Sequence, residues 1–172
     1  MVKGKGVSKG IGIGHTKVLK NEEVKLTDFK VENKENELKY FKKCLSDVIE
    51  DTKKVVEKLS GTEADIMNAY LMILQDPTLT EETERLIQED GYNAGYAVKV
   101  GFETVEEVFK NMDDEYMSAR ASDIEDMKNK VVNKIIDKAE LDLTNLPENT
   151  ILVGKDLSTS DTCLLYTSPS PR

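Results

Sequence analysis

The chain has 172 residues, a formal net charge of −9, 38% hydrophobic and 33% charged residues, and no tryptophan. That suits one domain, or one compact domain with part of a second, and gives enough apolar material for a core. An acidic chain with only 6% aromatics is a poor match for phosphate backbones or a base-stacking platform, so nucleic acid is not expected as a partner and a basic protein surface is.

The first twenty residues alternate glycine with apolar side chains: Gly4, Gly6, Gly10, Gly12 and Gly14 among Val7, Ile11, Ile13, Val18 and Leu19. This predicts one or two short strands joined by a glycine turn. From Asp28 the period changes. Leu38, Phe41, Leu45, Val48, Ile49, Thr52, Val55, Val56 and Leu59 recur at steps of three and four, the stripe of a long amphipathic helix ended by Ser60-Gly61. A second helix is predicted from Thr62, read as its N-cap, to Gln75. Asp76-Pro77 breaks it, because the residue before a proline is pushed out of the α region. A third helix is predicted from Thr80 to Asp90-Gly91, with Glu81, Glu82 and Glu84 near its positive end.

A fourth helix carries Ala94, Ala97, Val98, Gly101, Val105, Val108, Phe109 and Met112. A fifth, after Asp113-Asp114-Glu115, carries Ile124, Met127, Val131 and Ile135. Residues 141–147 are expected to be a connector, and Thr150-Ile-Leu-Val-Gly154 a short strand. Helices between β ends predict a mainly α fold: a helical bundle over 21–140, inserted in an incomplete α/β domain formed by 1–20 and 141–162. Residues 163–172, CLLYTSPSPR, fit no upstream pattern and are read as a non-native read-through tail.

No run approaches the roughly 18–20 apolar residues that span a bilayer, and the N-terminus lacks the apolar core of a secretory signal. A cytoplasmic protein without membrane association is expected. His15, the one histidine, has no local carboxylate or nucleophile to work with and reads as a surface residue at a strand edge. Gly10-Ile-Gly-Ile-Gly14 lacks the helix that a dinucleotide loop must open, so turn glycines are the better reading. Cys44 and Cys163 form neither a metal spacing nor a disulfide framework. Asp113-Asp114-Glu115 does not make a cation cage and reads as helix N-terminal charge. No metal site is expected in the chain. Met72 differs from the other methionines, because Ala69-Tyr-Leu-Met-Ile-Leu74 is apolar nearly all round and a helix in a small bundle cannot bury every side.

Five segments recur in an order that carries a resemblance: Gly6-Val-Ser-Lys-Gly-Ile-Gly-Ile-Gly14, Ala69-Tyr-Leu-Met-Ile-Leu-Gln-Asp-Pro77, Asp113-Asp-Glu-Tyr116, Arg120-Ala-Ser-Asp-Ile-Glu-Asp126 and Ile151-Leu-Val-Gly-Lys-Asp-Leu-Ser-Thr-Ser-Asp-Thr162. Together, across residues 1–162, they resemble the N-terminal region of phosphoenolpyruvate–protein phosphotransferase, Enzyme I of the bacterial sugar phosphotransferase system. The resemblance implies a helical domain that docks the phosphocarrier HPr, inserted in a phosphohistidine domain.

It further implies that a histidine downstream of residue 162 relays the phosphoryl group. Phosphoenolpyruvate and Mg²⁺ would be held by a C-terminal barrel that also dimerises. This piece alone is therefore expected to be inactive and monomeric, with no catalytic residue of its own. Tyr70, Met72, Ile73, Asp76, Thr104, Phe109 and Arg120 match docking positions. Tyr70 stands where many relatives have histidine, and Thr78 and Glu125 depart from the common charged choices. The alternatives are a nitrogen-regulatory Enzyme I paralogue and a non-enzymatic helical adaptor.

Overall fold

The computed structural model describes residues 9–19, 24–114, 118, 120–138, 143, 146–155 and 157–167, with residues 166 and 167 described by backbone alone. Its elements are β1 (His15–Val18), α1 (Lys34–Val56), α2 (Thr62–Leu74), α3 (Pro77–Gln88), α4 (Ala94–Lys110), α5 (Ala121–Ile135), β2 (Thr150–Val153) and α6 (Thr159–Thr167).

Helix α1 starts six residues after the change of period at Asp28, and its cap explains why. The Asn33 side chain accepts from the Asn36 N–H at 2.9 Å, Glu35 and Glu37 occupy the first turn, and Lys53 and Lys54 the last, each end complementing the dipole. The segment before it runs extended and is tied down elsewhere. The Asn93 amide donates to Thr27 O at 2.8 Å and Phe29 O at 3.1 Å, and Lys30 bridges Tyr92. Along α1, Phe41, Cys44, Val48 and Thr52 turn inward, the spacing of a single buried stripe.

Two helix starts differ from the sequence expectation. The N-cap of α2 is Gly61, and Thr62 is already helical, with no side-chain cap. Helix α3 begins at Pro77 rather than Thr80: Asp76 caps it by accepting from the Thr78 N–H at 2.9 Å, and Pro77 fills the first turn. Proline there gives up only an N–H that would have had no helical partner. The same Asp-Pro pair therefore ends one helix and opens the next. The glutamates at 81, 82 and 84 consequently lie beyond the first turn, which holds no acidic residue.

The acidic turn is placed differently too. Helix α5 starts at Ala121, and Asp123 is the acid in its first turn. Asp113 and Asp114 are exposed well ahead of it, and Glu115 lies outside the described residues.

The core forms around α4, which packs most extensively on α3 and α5. Phe41, Ile87, Val98, Phe102, Ile124, Met127 and Val131 are fully buried there. Gly101 allows the α3–α4 approach: a Cβ on it would lie 2.3 Å from Thr83 Oγ1 and 2.9 Å from the Thr83 backbone nitrogen.

Strands β1 and β2 pair in parallel, His15 opposite Thr150 through Val18 opposite Val153, so segments on either side of the helices in sequence meet. Gly14 is required at this junction, because a Cβ there would sit 1.9 Å from Asn149 O. The next residue donates its N–H to the same oxygen at 2.8 Å. A strand follows the glycines, as expected, and not a helix. Of residues 163–172, read above as a read-through tail, 163–167 continue α6, with Cys163 buried in the core.

Candidate docking site

The candidate surface is built on the C-terminal half of α2, the α2–α3 turn and the outer face of α4. On α2, Met67, Tyr70 and Leu74 make the buried stripe. Met72 falls opposite that stripe and is 75% exposed. Ile73 is half-buried against the core. Asp76 is exposed, and the Thr78 hydroxyl and N–H both bond to its carboxylate. Those bonds, the hydroxyl's first, hold its carboxyl below the usual range, so it carries its charge firmly while capping α3.

Tyr70 is a correction. Its place on the buried stripe leaves it 3% exposed, with the Lys130 ammonium 5.7 Å from the ring centroid. It supports the surface from beneath and does not present its ring to a partner.

On α4, Thr104 is exposed, and its hydroxyl is committed to Val100 O at 2.9 Å. Phe109 belongs to the inner stripe and is half-buried against the core. The exposed apolar side chains here are Val108 on α4, 55% exposed, and Met112, two residues past its end. Helical spacing alone placed these with the core; only packing separates them from Phe109. Helix α2 packs chiefly on α1 and α6, so Met72 and the α4 residues reach the surface on different helices that share one core.

Arg120 sits at the N-cap of α5, half-buried, with Nη1 donating to Asp123 Oδ2 at 3.0 Å. Beneath the face, Glu106 is buried in contact with Lys110, and Lys128 lies 3.5 Å from Glu106 and 3.3 Å from Glu103. Burial of these charges is tolerable because they are paired.

His15 is exposed on β1. Among the described residues, no group of three or more His, Cys, Asp or Glu side chains could hold a metal ion, and no helix is long and apolar enough to cross a membrane. An open cleft of about 350 Å³ lies between the start of α2 and α6, lined by Thr62, Glu63, Ile66, Leu157 and Thr162 among others.

The carboxyl of Asp126 on α5 is pushed up, first by burial, with Asp161 adding to the rise and Lys130, Ser160 and Ser158 opposing it. A carboxyl raised on folding stabilises fully below its unfolded value of about 4, and that contribution disappears as pH rises through the folded value. Above its folded value the ionised Asp126 is thus a net cost. Asp126→Asn keeps an acceptor and removes the charge, so urea melts should find it at least as stable as the parent at pH 7. The advantage should vanish below about pH 4. A clear loss of stability at pH 7 would contradict this.

Residues 3–120 match the family described as PEP-utilising enzyme, N-terminal. Among curated relatives, the phosphoenolpyruvate-protein phosphotransferase of Bacillus subtilis (strain 168) is 30% identical over 168 residues, covering 95% of this chain and 30% of the relative. That of Haemophilus influenzae is 32% identical over 174 residues, 96% of this chain and 30% of the relative. The chain therefore spans under a third of the length of these relatives. Among solved structures, the solution structure of the Enzyme I protein nEIt superposes with a TM-score of 0.79 at 31% identity, over 91% of this chain and 66% of that one. The N-terminal domain of nitrogen Enzyme 1 gives a TM-score of 0.68 at 19% identity, over 87% and 63%, a likeness of fold alone.

Proposed function

The chain belongs to the PEP-utilising enzymes, matching their N-terminal part, and from that premise we propose that it is the portion of an Enzyme I on which the phosphocarrier HPr docks. The parent enzyme, in this reading, passes a phosphoryl group from phosphoenolpyruvate through a histidine to HPr in the cytoplasm, for sugar uptake. The observation that carries the reading is Met72: a large, flexible apolar side chain left 75% exposed beside a capping carboxylate. Such a side chain can adapt to a partner, and its burial supplies desolvated area at the centre of an interface.

Asp76, Asp113 and Asp114 are exposed, Asp76 four residues after Met72 and the other two directly after Met112, and the chain's net charge is −9. Both favour a partner with a basic face and speed its encounter. Val108 and Met112 join Met72, Ile73, Asp76, Thr104 and Arg120 as the residues proposed to make contact, and Tyr70 and Phe109 hold them from below.

The chemical step is no part of this reading for the residues in hand. His15 lies on β1, where it pairs with β2, and matches no relay histidine. The Mg²⁺ of the proposed parent would be held by its C-terminal barrel and not by these residues.

Titration of the labelled chain with HPr tests the proposal. Shift changes should cluster at Met72, Val108 and Met112, and Met72→Ala should weaken binding by about tenfold, equivalent to about 1.4 kcal/mol. No shift change at these residues with HPr at millimolar concentration would sink it.

A further inference from the structure

The contact between α5 and α6 is built differently from the rest of the bundle. Among the described residues, helix α6 packs chiefly on α2 and α5, and two hydroxyls at its first turn meet two carboxylates one turn apart on α5. Ser160 is fully buried, and its Oγ donates to Asp126 Oδ2 at 2.5 Å. Thr159 Oγ1 donates to Asp123 Oδ1 at 3.0 Å, while the other oxygen of Asp123 holds Arg120.

The hydroxyls are aimed by the helix start itself. Ser158 Oγ accepts from the Asp161 N–H at 3.1 Å, and the Asp161 carboxylate accepts from the Ser158 N–H at 3.2 Å. This is the reciprocal arrangement of a capping box, with aspartate in the place of glutamate.

We propose that residues 158–161 form a polar latch, in which the capped first turn of α6 is clipped to α5 through Ser160–Asp126 and Thr159–Asp123, and that releasing it frees α6 without unfolding the bundle. Three observations support release as a local event. Apart from Cys163, no described side chain of α6 belongs to the main core cluster. The open cleft between α2 and α6 leaves its other flank uncovered. The bonds that hold it are few and end on carboxylates, where each is stronger than a neutral pair but depends wholly on its donor. The charged groups bearing on the Asp126 seat are Lys130 on the same helix and Asp161 on α6. Glu63 on α2 faces the neighbouring Cys163.

Amide hydrogen exchange tests the latch. In Ser160→Ala the α6 amides, Thr162 onward, should exchange about 10- to 100-fold faster than in the parent, while those of α1 and α4 keep their rates. Asp126→Asn, which leaves an acceptor in place, should keep α6 protected. The Ser160 bond favours the ionised carboxylate, so the Asp126 carboxyl followed by NMR should titrate higher in Ser160→Ala than in the parent. Unchanged α6 exchange in Ser160→Ala would overturn the proposal. Equal acceleration of α4 and α6 would overturn it as well, because the hydroxyl would then support the whole bundle.

Discussion

Phe102→Ala should lower the stability of the chain by about 3–5 kcal/mol. The ring is fully buried on α4, the helix that packs on both α3 and α5, so no single neighbour can move in to fill the space. Truncation loses the transfer energy of the ring and leaves a cavity in a core where Thr83, Val98, Ile124 and Met127 are themselves fully buried. Against a typical total of about 5–15 kcal/mol, the loss would bring the domain close to its unfolding threshold. Urea denaturation checks it. The midpoint should fall with the slope unchanged, and a loss below about 1 kcal/mol would mean that the core collapses around the gap far better than close packing allows.

Gly101→Ala is the second large effect, and here two terms oppose each other. Alanine in place of glycine inside a helix gains about 1 kcal/mol from backbone propensity. The new methyl, however, would lie 2.3 Å from Thr83 Oγ1 and 2.9 Å from the Thr83 nitrogen. The first neighbour can rotate only by giving up its 3.5 Å contact with Ala97 O, and the second is backbone. Helices α3 and α4 must separate along their whole contact, an overpacking cost of about 1–3 kcal/mol and occasionally more. The expected net result is destabilisation, and Thr83→Ala should recover part of it in the double variant. A Gly101→Ala chain more stable than the parent in thermal melts would show that the crossing is looser than its geometry.

Much of this architecture was legible because its signals are local. The stripe through Phe41, Val48 and Thr52 located α1. The excess of apolar residues from Ala69 to Leu74 showed that one side of α2 had to remain uncovered, and Met72 proved to be that side. What misled were residues with two uses. Asp76-Pro77 reads as a breaker, but an aspartate before a proline is equally a cap followed by a first-turn residue, and the structure uses both meanings. The resemblance puts Tyr70 among the docking positions, although its spacing from Met67 and Leu74 already assigns it to the core. Val108, Phe109 and Met112 all fit a helical period, and which of them faces outward depends on where α3 and α5 lie.

The capping pair of Ser158 and Asp161 comes from the structure and was no part of the sequence expectation. Their seat on Asp123 and Asp126 depends on chain crossings that no local pattern encodes. The same holds for Asp126, whose sequence neighbours give no hint that its carboxyl is desolvated.

The parallel pairing of β1 with β2 has a consequence for the order in which the molecule assembles. His15 meets Thr150 across nearly the entire chain, so closing that contact from an extended coil carries a large entropic penalty for a few ladder bonds. The intervening helices make mostly near-neighbour contacts and can form first. Once built, they shorten the effective loop and deliver both strands to one place. The bundle thus acts as the splint that makes the sheet affordable, and in refolding the amides of the β1–β2 ladder should be the last to gain protection.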